Sequence, residues 1–113
     1  YTLSLHDALP IMFKITVLYN HPVDPESFEK YYSEVHTPIA LKIPHLKSFE
    51  LIKYVETPQG KPDFYRVAHL GFDSAEDMQS ALDSAEGQAA AADLGNFATG
   101  GLHFLIGGVE KLI

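Results

Sequence analysis

Within the first third of the chain, the interval between apolar residues lengthens from two positions to three or four. This change is the sequence feature that most constrains the fold. Apolar side chains occupy every second position from Phe13 to Tyr19, which is the period of a strand with one buried face. Asn20-His21-Pro22 ends that strand, and Asp24-Pro25-Glu26 has the composition of a helix start. Helical spacing follows, at Phe28, Tyr32, Val35 and Ile39. We therefore expect a strand followed directly by an amphipathic helix.

The remaining sequence predicts three more strands and a second helical segment. Strands are expected over residues 46–55, 64–72 and 102–109, which are rich in apolar residues and bounded by turn-forming sequences. Asp73-Ser74-Ala75-Glu76 has the form of a capping box with Asp73 as the N-cap, and Gly87 is expected to divide the helix that follows. Pro38 is expected to kink or end the first helix. The order β-α-β-β-α-β predicts an α+β, ferredoxin-like fold over residues 12–109, with a four-stranded antiparallel sheet, both helices on one face and a short tail at 110–113.

Composition narrows the classes of function. The 113 residues fit a single domain, and 8 basic against 15 acidic residues give a formal net charge of −7. Nucleic acids and anionic membrane surfaces require a basic patch, so we expect neither as a partner. No apolar run approaches the ~20 residues of a membrane span. The absence of cysteine excludes disulfides, thiolate metal sites and a cysteine nucleophile, and it is compatible with the cytoplasmic location that we expect.

The first eleven residues do not share the pattern of the rest. They contain Pro10 shortly before Met12, and they lack the basic region, apolar core and cleavage site of a signal peptide. Met12 leads directly into the first predicted strand. We interpret residues 1–11 as a non-native or non-functional extension, and an ordinary flexible N-terminal arm is the alternative.

The predicted strands are apolar at more than alternate positions. The sheet face turned away from the helices therefore carries apolar side chains, and contiguous exposed patches of this kind usually mark interfaces. A domain of this size also buries only ~60–70% of the surface of its unfolded chain. A second copy packed sheet to sheet about a two-fold axis would cover this face. We therefore expect a homodimer.

The sequence contains none of the common cofactor or nucleophile motifs. Neither Gly100-Gly101 nor Gly107-Gly108 precedes a helix start, and a serine nucleophile elbow and an HExxH zinc motif are both absent. The histidines at 21, 36, 45, 69 and 103 have no paired ligand spacing, so we predict no metal and no cofactor. A two-histidine, one-carboxylate site or a haem held by His36 is the less favoured alternative. Imidazole, phenol and carboxylate groups remain as candidate chemistry.

His36 is the first candidate among these groups. It follows Phe28 and Tyr32 at intervals of four residues and so shares the apolar face of the first helix. A polar group on a buried face is costly unless it is hydrogen-bonded. An imidazole with a pKa of about 6.5 is suited to acid–base catalysis near neutral pH. The alternative is a structural histidine that caps the helix or binds a backbone carbonyl in the core.

Three segments of the chain together resemble the EthD family, whose members are often described as EthD family reductases. They are Phe28-x-x-x-Tyr32-x-x-x-His36-x-Pro38 preceded by Val17-Leu18-Tyr19, then Ala68-His69-Leu70-Gly71-Phe72-Asp73-Ser74, and finally Asp93-Leu94-Gly95-Asn96-Phe97-Ala98-Thr99. The resemblance covers residues 12–109. It implies a dimeric α+β barrel built from two ferredoxin-like subunits. Relatives by fold include cofactor-free monooxygenases, lactone isomerases, polyketide cyclases and haem-degrading enzymes. This chain departs from the family at Arg66 and Gly71, where we expect an altered pocket shape.

The resemblance and the residue chemistry together nominate seven site residues. The candidate catalytic residues are His36, Tyr32 and His69, and the candidate substrate-binding residues are Tyr19, Phe28, Asn96 and Phe97. Each has a structural alternative. His69 also fits a core histidine or a dimer contact, which is the simpler interpretation. The tyrosines also fit buried hydrogen-bonding groups, and Asn96 also fits a turn residue.

These residues predict a function in outline. The favoured interpretation is a small homodimeric enzyme, either of oxidoreductase type or a related cofactor-free acid–base enzyme, that acts on a small hydrophobic molecule in an apolar, aromatic-lined pocket. One alternative is a dimer that binds such a molecule without turnover. Others are an isomerase or cyclase of the same fold and a structural dimer with no ligand. The enzyme and the ligand-binding dimer both require a cavity beside His36, whereas side chains would fill that space in a structural dimer.

Overall fold

The computed structural model describes residues 12–113, and the interpretation of residues 1–11 as an extension lies outside the described residues. The elements follow the predicted order β-α-β-β-α-β. Each of the two helical regions contains two α-helices in succession, and we call residues 25–40 the first layer and residues 75–96 the second layer. The elements are β1 (Met12–Tyr19), α1 (Pro25–Tyr31), a π-helical turn (Tyr32–His36), α2 (Thr37–Ala40), β2 (Ser48–Lys53), β3 (Arg66–Phe72), α3 (Ala75–Asp83), α4 (Ala85–Asp93), a 3₁₀ turn (Leu94–Asn96) and β4 (Leu102–Val109).

The four strands form one antiparallel sheet in the order β2-β3-β1-β4. In this sheet Ile15 of the central strand β1 lies opposite Leu70 of β3 and Ile106 of β4. Alternate β1 residues from Phe13 to Tyr19 are buried, and they join residues of the helices in one core. The predicted ferredoxin-like α+β fold is therefore confirmed.

The strand β4 carries exposed apolar side chains on both faces. Phe104 and Ile106 lie on the helix side of the sheet and are 45% and 40% exposed, because the helices cover β1 and β3 more fully than this edge. Leu105 lies on the opposite face and is 51% exposed. On that outer face, Ile52 of β2 is also exposed, and Lys14 and Glu50 form an ion pair at 3.8 Å. The outer face is thus a mixture of apolar and polar side chains.

Side-chain caps fix the starts of the helices. The Asp24 carboxylate accepts hydrogen bonds from the backbone N–H groups of Glu26 and Ser27, as predicted. The prediction that Asp73 caps the second layer is wrong, because the Ser74 hydroxyl accepts the hydrogen bond from the Asp77 N–H at 3.0 Å.

The second layer divides at Ser84, and the prediction of a break at Gly87 is wrong by three residues. The Ser84 hydroxyl accepts a hydrogen bond from the Gly87 N–H at 2.9 Å, so Ser84 ends α3 and caps α4. Gly87 is needed inside α4 for a steric reason, since a Cβ atom there would collide with the carbonyl oxygen of Ala81.

The first layer runs continuously past Pro38 by including a wider turn. The N–H of Thr37 donates to the carbonyl of Tyr32, five residues earlier. This turn holds more residues than the 3.6 of an α-helix, so positions four apart stay on one face. The prediction that Val35 lies on the buried face is therefore wrong: Val35 is exposed, and His36 and Ala40 continue the buried face of the helix.

The two residues at which the chain departs from the EthD pattern have structural roles. The Arg66 guanidinium pairs with the Glu29 carboxylate through two hydrogen bonds, and the Tyr65 hydroxyl donates to Glu29 at 2.8 Å. This network ties the start of β3 to α1. Gly71 lies against Ser48 of β2, where a Cβ atom would collide with the serine hydroxyl.

Candidate active site

His36 stands at the end of the π-helical turn with its ring turned into the core. The residue is 5% exposed, and its ring contacts those of Tyr32 and Phe97 at centroid distances of 5.1 and 4.6 Å. The π turn produces this orientation, because it keeps Tyr32 and His36 on one face of the helix. Single π-helical turns occur frequently at functional sites in proteins.

Asp93, the last residue of α4, holds one nitrogen of this imidazole. Its Oδ2 atom lies 2.9 Å from Nδ1 of His36, and its Oδ1 atom accepts hydrogen bonds from the Tyr31 hydroxyl at 2.6 Å and from the Asn96 side-chain N–H at 2.9 Å. Asp93 is 6% exposed. A buried carboxylate with three donors around it is fixed in both position and orientation.

The two groups have pKa values that favour a neutral imidazole beside a charged carboxylate. Burial lowers the pKa of His36 below its ordinary value, and Asp93 only partly offsets that effect. Burial alone would raise the pKa of Asp93, but the hydrogen bonds from Tyr31, Asn96 and His36 hold it below its ordinary value. An ionised carboxylate can only accept, so Nδ1 of His36 carries the proton and donates it to Asp93. The lone pair is then on Nε2.

A cavity of about 60 Å³ adjoins the His36 ring, between the helices and the sheet. One water molecule needs roughly 10–15 Å³, so this space is large enough for a small organic group. Its walls are mainly apolar side chains from β1, β2, β3 and the helices α2, α3 and α4, together with Phe104 at the exposed edge of β4. The polar side chains on the wall are those of Tyr19, Tyr32 and His36.

Tyr19 and Tyr32 face this cavity from β1 and from the π turn. They are 1% and 3% exposed, and their rings meet edge to face at 5.9 Å. Burial raises the pKa of Tyr32 to about 12 and raises the pKa of Tyr19 above its ordinary value, so both phenols are protonated at neutral pH.

The other predicted substrate-binding residues surround the site without lining this cavity. Phe28 and Phe97 form an aromatic cluster with Tyr19 and Tyr32, and Phe97 packs directly on the His36 ring. The Asn96 side chain supports Asp93. Phe28, Asn96 and Phe97 instead border a separate surface depression of about 280 Å³.

His69 is not brought together with His36. It lies on the outer face of the sheet, where its Nδ1 atom is 3.1 Å from the Thr16 hydroxyl. Neighbouring β3 residues Ala68 and Leu70 line the cavity from the inner face. A catalytic role for His69 therefore stays a prediction to which this cavity gives no support.

Asp93 is the site residue that was absent from the predicted set. It lies within one of the segments that resemble EthD proteins, but a buried aspartate is rare and the alanine-rich helix before it has no distinctive pattern. The one available signal was Asn96, three residues later, which is spaced to contact Asp93 across one helical turn.

Residues 12–113 contain neither a cluster of side chains suited to a metal ion nor a helix suited to a membrane span. No group of three or more histidine, aspartate or glutamate side chains is arranged to hold a metal ion. No helix in this part of the chain has the length and hydropathy required to span a bilayer.

Comparison with known proteins relates this chain to a described family. A sequence profile described as the EthD domain matches residues 20–101. An uncharacterised 11.0 kDa protein encoded between thcB and thcC in Rhodococcus erythropolis is 39% identical over 102 residues, which cover 90% of this chain and 99% of that protein.

Solved structures show the same relationship. The crystal structure of an ethyl tert-butyl ether degradation (EthD) family protein from Bacillus halodurans has a TM-score of 0.82 and 33% identity, covering 89% of this chain and 99% of that chain. The hydroxynitrile lyase of Passiflora edulis has a TM-score of 0.70 over 92% of this chain and 98% of its own, at 13% identity. The similarity to the lyase extends to the fold alone.

Proposed function

This chain belongs to the EthD family, and we propose that it is a cofactor-free acid–base enzyme that removes a proton from a small hydrophobic molecule. His36 is the base, and Asp93 is a positioning residue that orients its ring. The cavity beside His36 is the substrate site.

The hydrogen bond between Nδ1 of His36 and Oδ2 of Asp93, at 2.9 Å beside an apolar cavity, carries the proposal. It fixes the tautomer in which Nε2 has the free lone pair, since the charged carboxylate accepts only from a protonated Nδ1. The lowered pKa of His36 keeps this base unprotonated at neutral pH. After proton transfer, the negative charge of Asp93 stabilises the imidazolium that forms.

The cavity wall favours an uncharged, apolar substrate. Its lining contains apolar side chains, two phenols and the imidazole, and none of the described residues that line it is a lysine or an arginine. A charged molecule transferred from water into this space would leave its charge unpaired, which is costly. Phe104 lines the cavity and is 45% exposed, so a larger substrate has room to extend past the β4 edge.

The second candidate function is binding of the same class of molecule without turnover. It is favoured by the apolar walls of the cavity, which would hold a small ligand by removing its apolar surface from water. Reactions of oxidoreductase, isomerase or cyclase type begin equally well with proton removal. Proton removal is therefore the proposed first step, and the structure of the substrate determines which reaction follows it.

We extend the proposal to a homodimer in a reducing compartment such as the cytoplasm. Exposed Leu105 and Ile52 on the outer sheet face form apolar surface that a second copy packed on that face would cover. The chain contains no cysteine and so depends on no disulfide.

The test is proton exchange, which requires no knowledge of the final product. Small apolar carbon acids (ketones, nitroalkanes and arylacetonitriles) are incubated with the protein in D₂O, and deuterium incorporation is followed by NMR. Wild type is expected to catalyse exchange of at least one class, and His36→Gln to lose that catalysis while it remains folded. His45→Asn is the control. It removes an exposed imidazole at a residue with φ of 63°, a conformation that asparagine tolerates. Equal exchange by wild type and His36→Gln would contradict the proposal.

A further inference from the structure

The Tyr32 hydroxyl is buried beside the cavity without a hydrogen-bond partner among residues 12–113. The residue is 3% exposed, so bulk water does not solvate it. Buried polar side-chain atoms are hydrogen-bonded in the large majority of cases, and an exception requires an explanation. This one borders the space where the proposed substrate is bound, so a group on the ligand is the natural partner.

Tyr32 meets such a ligand at physiological pH as a neutral phenol, which can donate a hydrogen bond. Burial raises its pKa to about 12, so the hydroxyl keeps its proton. Tyr19 lies beside it on the same wall, and burial together with the Tyr32 phenol raises the pKa of Tyr19. The two hydroxyl groups are close enough for each phenol to influence the pKa of the other. The Tyr32 O–H group, which has no partner among the described residues, is therefore available to an acceptor in the cavity, with the Tyr19 phenol beside it.

We propose that Tyr32, assisted by Tyr19, binds the carbonyl oxygen of an uncharged ketone or aldehyde, and that His36 removes a proton from the carbon next to that carbonyl. The proposal rests on the acid–base function of His36 and adds to it a substrate class and a reaction type. Tyr32 becomes a catalytic residue that contacts the atom on which charge develops.

The step balances without an external oxidant or reductant. The C–H bond breaks, its proton passes to Nε2 of His36, and its electron pair forms a carbon–carbon double bond. The π electrons of the carbonyl move to oxygen, which becomes an enolate oxygen held by the tyrosine O–H groups. The imidazolium then exchanges its proton with solvent, so that in D₂O it returns a deuteron to the same carbon, which gives exchange. In an unsaturated ketone whose enolate is extended by a second double bond, protonation at the far carbon gives an isomer.

The surroundings make such donors effective. Charge on an enolate oxygen interacts more strongly with fixed O–H dipoles in an apolar, water-poor site than in water. Removal of one donor to a developing oxyanion typically lowers a rate by about 10²–10³-fold. Two neutral phenols also bind the ground-state ketone without requiring a charged substrate, in agreement with the uncharged cavity wall.

Acetone is the probe, because it is an uncharged, enolisable ketone small enough for a cavity of about 60 Å³. Two quantities are measured for wild type, Tyr32→Phe, Tyr19→Phe and His36→Gln: the infrared carbonyl stretch of the bound probe and the rate of deuterium exchange at its α carbon. Tyr54→Phe is the matched control, since Tyr54 is an exposed tyrosine outside the cavity.

We expect a lowered carbonyl stretch in wild type that returns toward the unbound value in Tyr32→Phe. We expect exchange to fall about 10²–10³-fold in Tyr32→Phe, less in Tyr19→Phe, and to be unchanged in Tyr54→Phe. Exchange that depends on His36 but not on Tyr32, with the same stretch in both proteins, would overturn this inference and leave the acid–base function standing. A Tyr32-dependent stretch without any catalysed exchange would overturn the acid–base function and leave the carbonyl site standing. Absence of both signals in wild type would overturn both.

Discussion

Nδ1 of His36 lies 2.9 Å from Oδ2 of Asp93, although 57 residues separate them in the chain. The π turn of the first helical layer presents the imidazole, and the end of α4 presents the carboxylate. The second oxygen of Asp93 is held by Tyr31 and Asn96. The carboxylate therefore cannot rotate away from His36 without losing two other hydrogen bonds.

Replacement of this carboxylate should disable the base while the fold is kept. In Asp93→Asn the amide N–H group can face Nδ1, which favours the tautomer with the proton on Nε2 and removes the acceptor that the reaction needs. We expect exchange to fall about 10²–10⁴-fold, as for loss of a general base. The pH dependence should also change, because loss of the Asp93 charge removes an influence that raises the His36 pKa. Asp83→Asn, an exposed aspartate at the end of α3, is the control. Full activity in Asp93→Asn would exclude a positioning role for Asp93.

Acidification should destabilise the protein in a window set by His36. Burial lowers the pKa of His36, so between this lowered value and about 6.5 the unfolded chain binds a proton that the folded chain does not. Stability is then unaffected by this group above about pH 6.5 and decreases as pH falls through the window. The lowered pKa of Asp93 acts in the same direction at lower pH, below about 3.9.

The measurement is the melting temperature of wild type and His36→Gln between about pH 8 and pH 5. The mutant should show a shallower decline, and His45→Asn should follow wild type. If all three curves were parallel, protonation of His36 would not be linked to unfolding.

Loss of the hydroxyl group should have opposite effects on stability at Tyr31 and Tyr32, which are adjacent in the sequence. Tyr32→Phe removes a buried hydroxyl that has no partner among the described residues, so we expect a gain of roughly 1 kcal/mol in the free energy of unfolding. That gain corresponds to about 4 °C or more in melting temperature for a domain of this size. Tyr31→Phe removes a donor to the buried Asp93 carboxylate and should lower the melting temperature. A lower melting temperature for Tyr32→Phe would indicate that its hydroxyl already has a structural partner.

The proposed dimer is tested by a charge on the outer face of the sheet. Leu105 is 51% exposed in the single chain and faces away from the helices, so Leu105→Glu should place an unpaired charge in a sheet-to-sheet interface. We expect sedimentation to show a dimer for wild type and a monomer for the mutant. Leu41→Glu makes the same change at an exposed position after α2 and should leave the dimer intact. A wild-type monomer at micromolar concentration would contradict the proposed dimer.

The sequence was sufficient for the order of elements and for the sheet. Burial alternates along β1 as predicted, because the side chains on one face of that strand pack against the helices and those on the other face are only partly buried. The sequence predicts the interruption of the second helical layer at Gly87, whereas it lies at Ser84. Glycine has a low helix propensity, so its position suggests a break. The sequence alone does not show that glycine is needed there because a Cβ atom would collide with Ala81.

The site was only partly predictable for a similar reason. His36, Tyr32 and Tyr19 were identified because local spacing and resemblance both indicate them, and all three line one cavity. Asp93 was missed because its importance depends on a contact across 57 residues, which no local pattern encodes. The sequence predicts a substrate-binding role for Asn96, whereas in the structure its side chain donates a hydrogen bond to Asp93. Local patterns identify which side chains face inward, and only packing determines which of them meet.

The π-helical turn also limits how the length of this helix can change. A hydrogen bond between residues five apart results when one residue is inserted into an α-helical turn, and the altered geometry is confined to that turn. Deletion of exposed Ser33 would allow ordinary α-helical bonding, but it would rotate one half of the helix by about 100° relative to the other. Either Phe28 or His36 would then leave the core. Natural variation within residues 25–40 should therefore consist of substitutions, and insertions or deletions should be confined to the loops at either end.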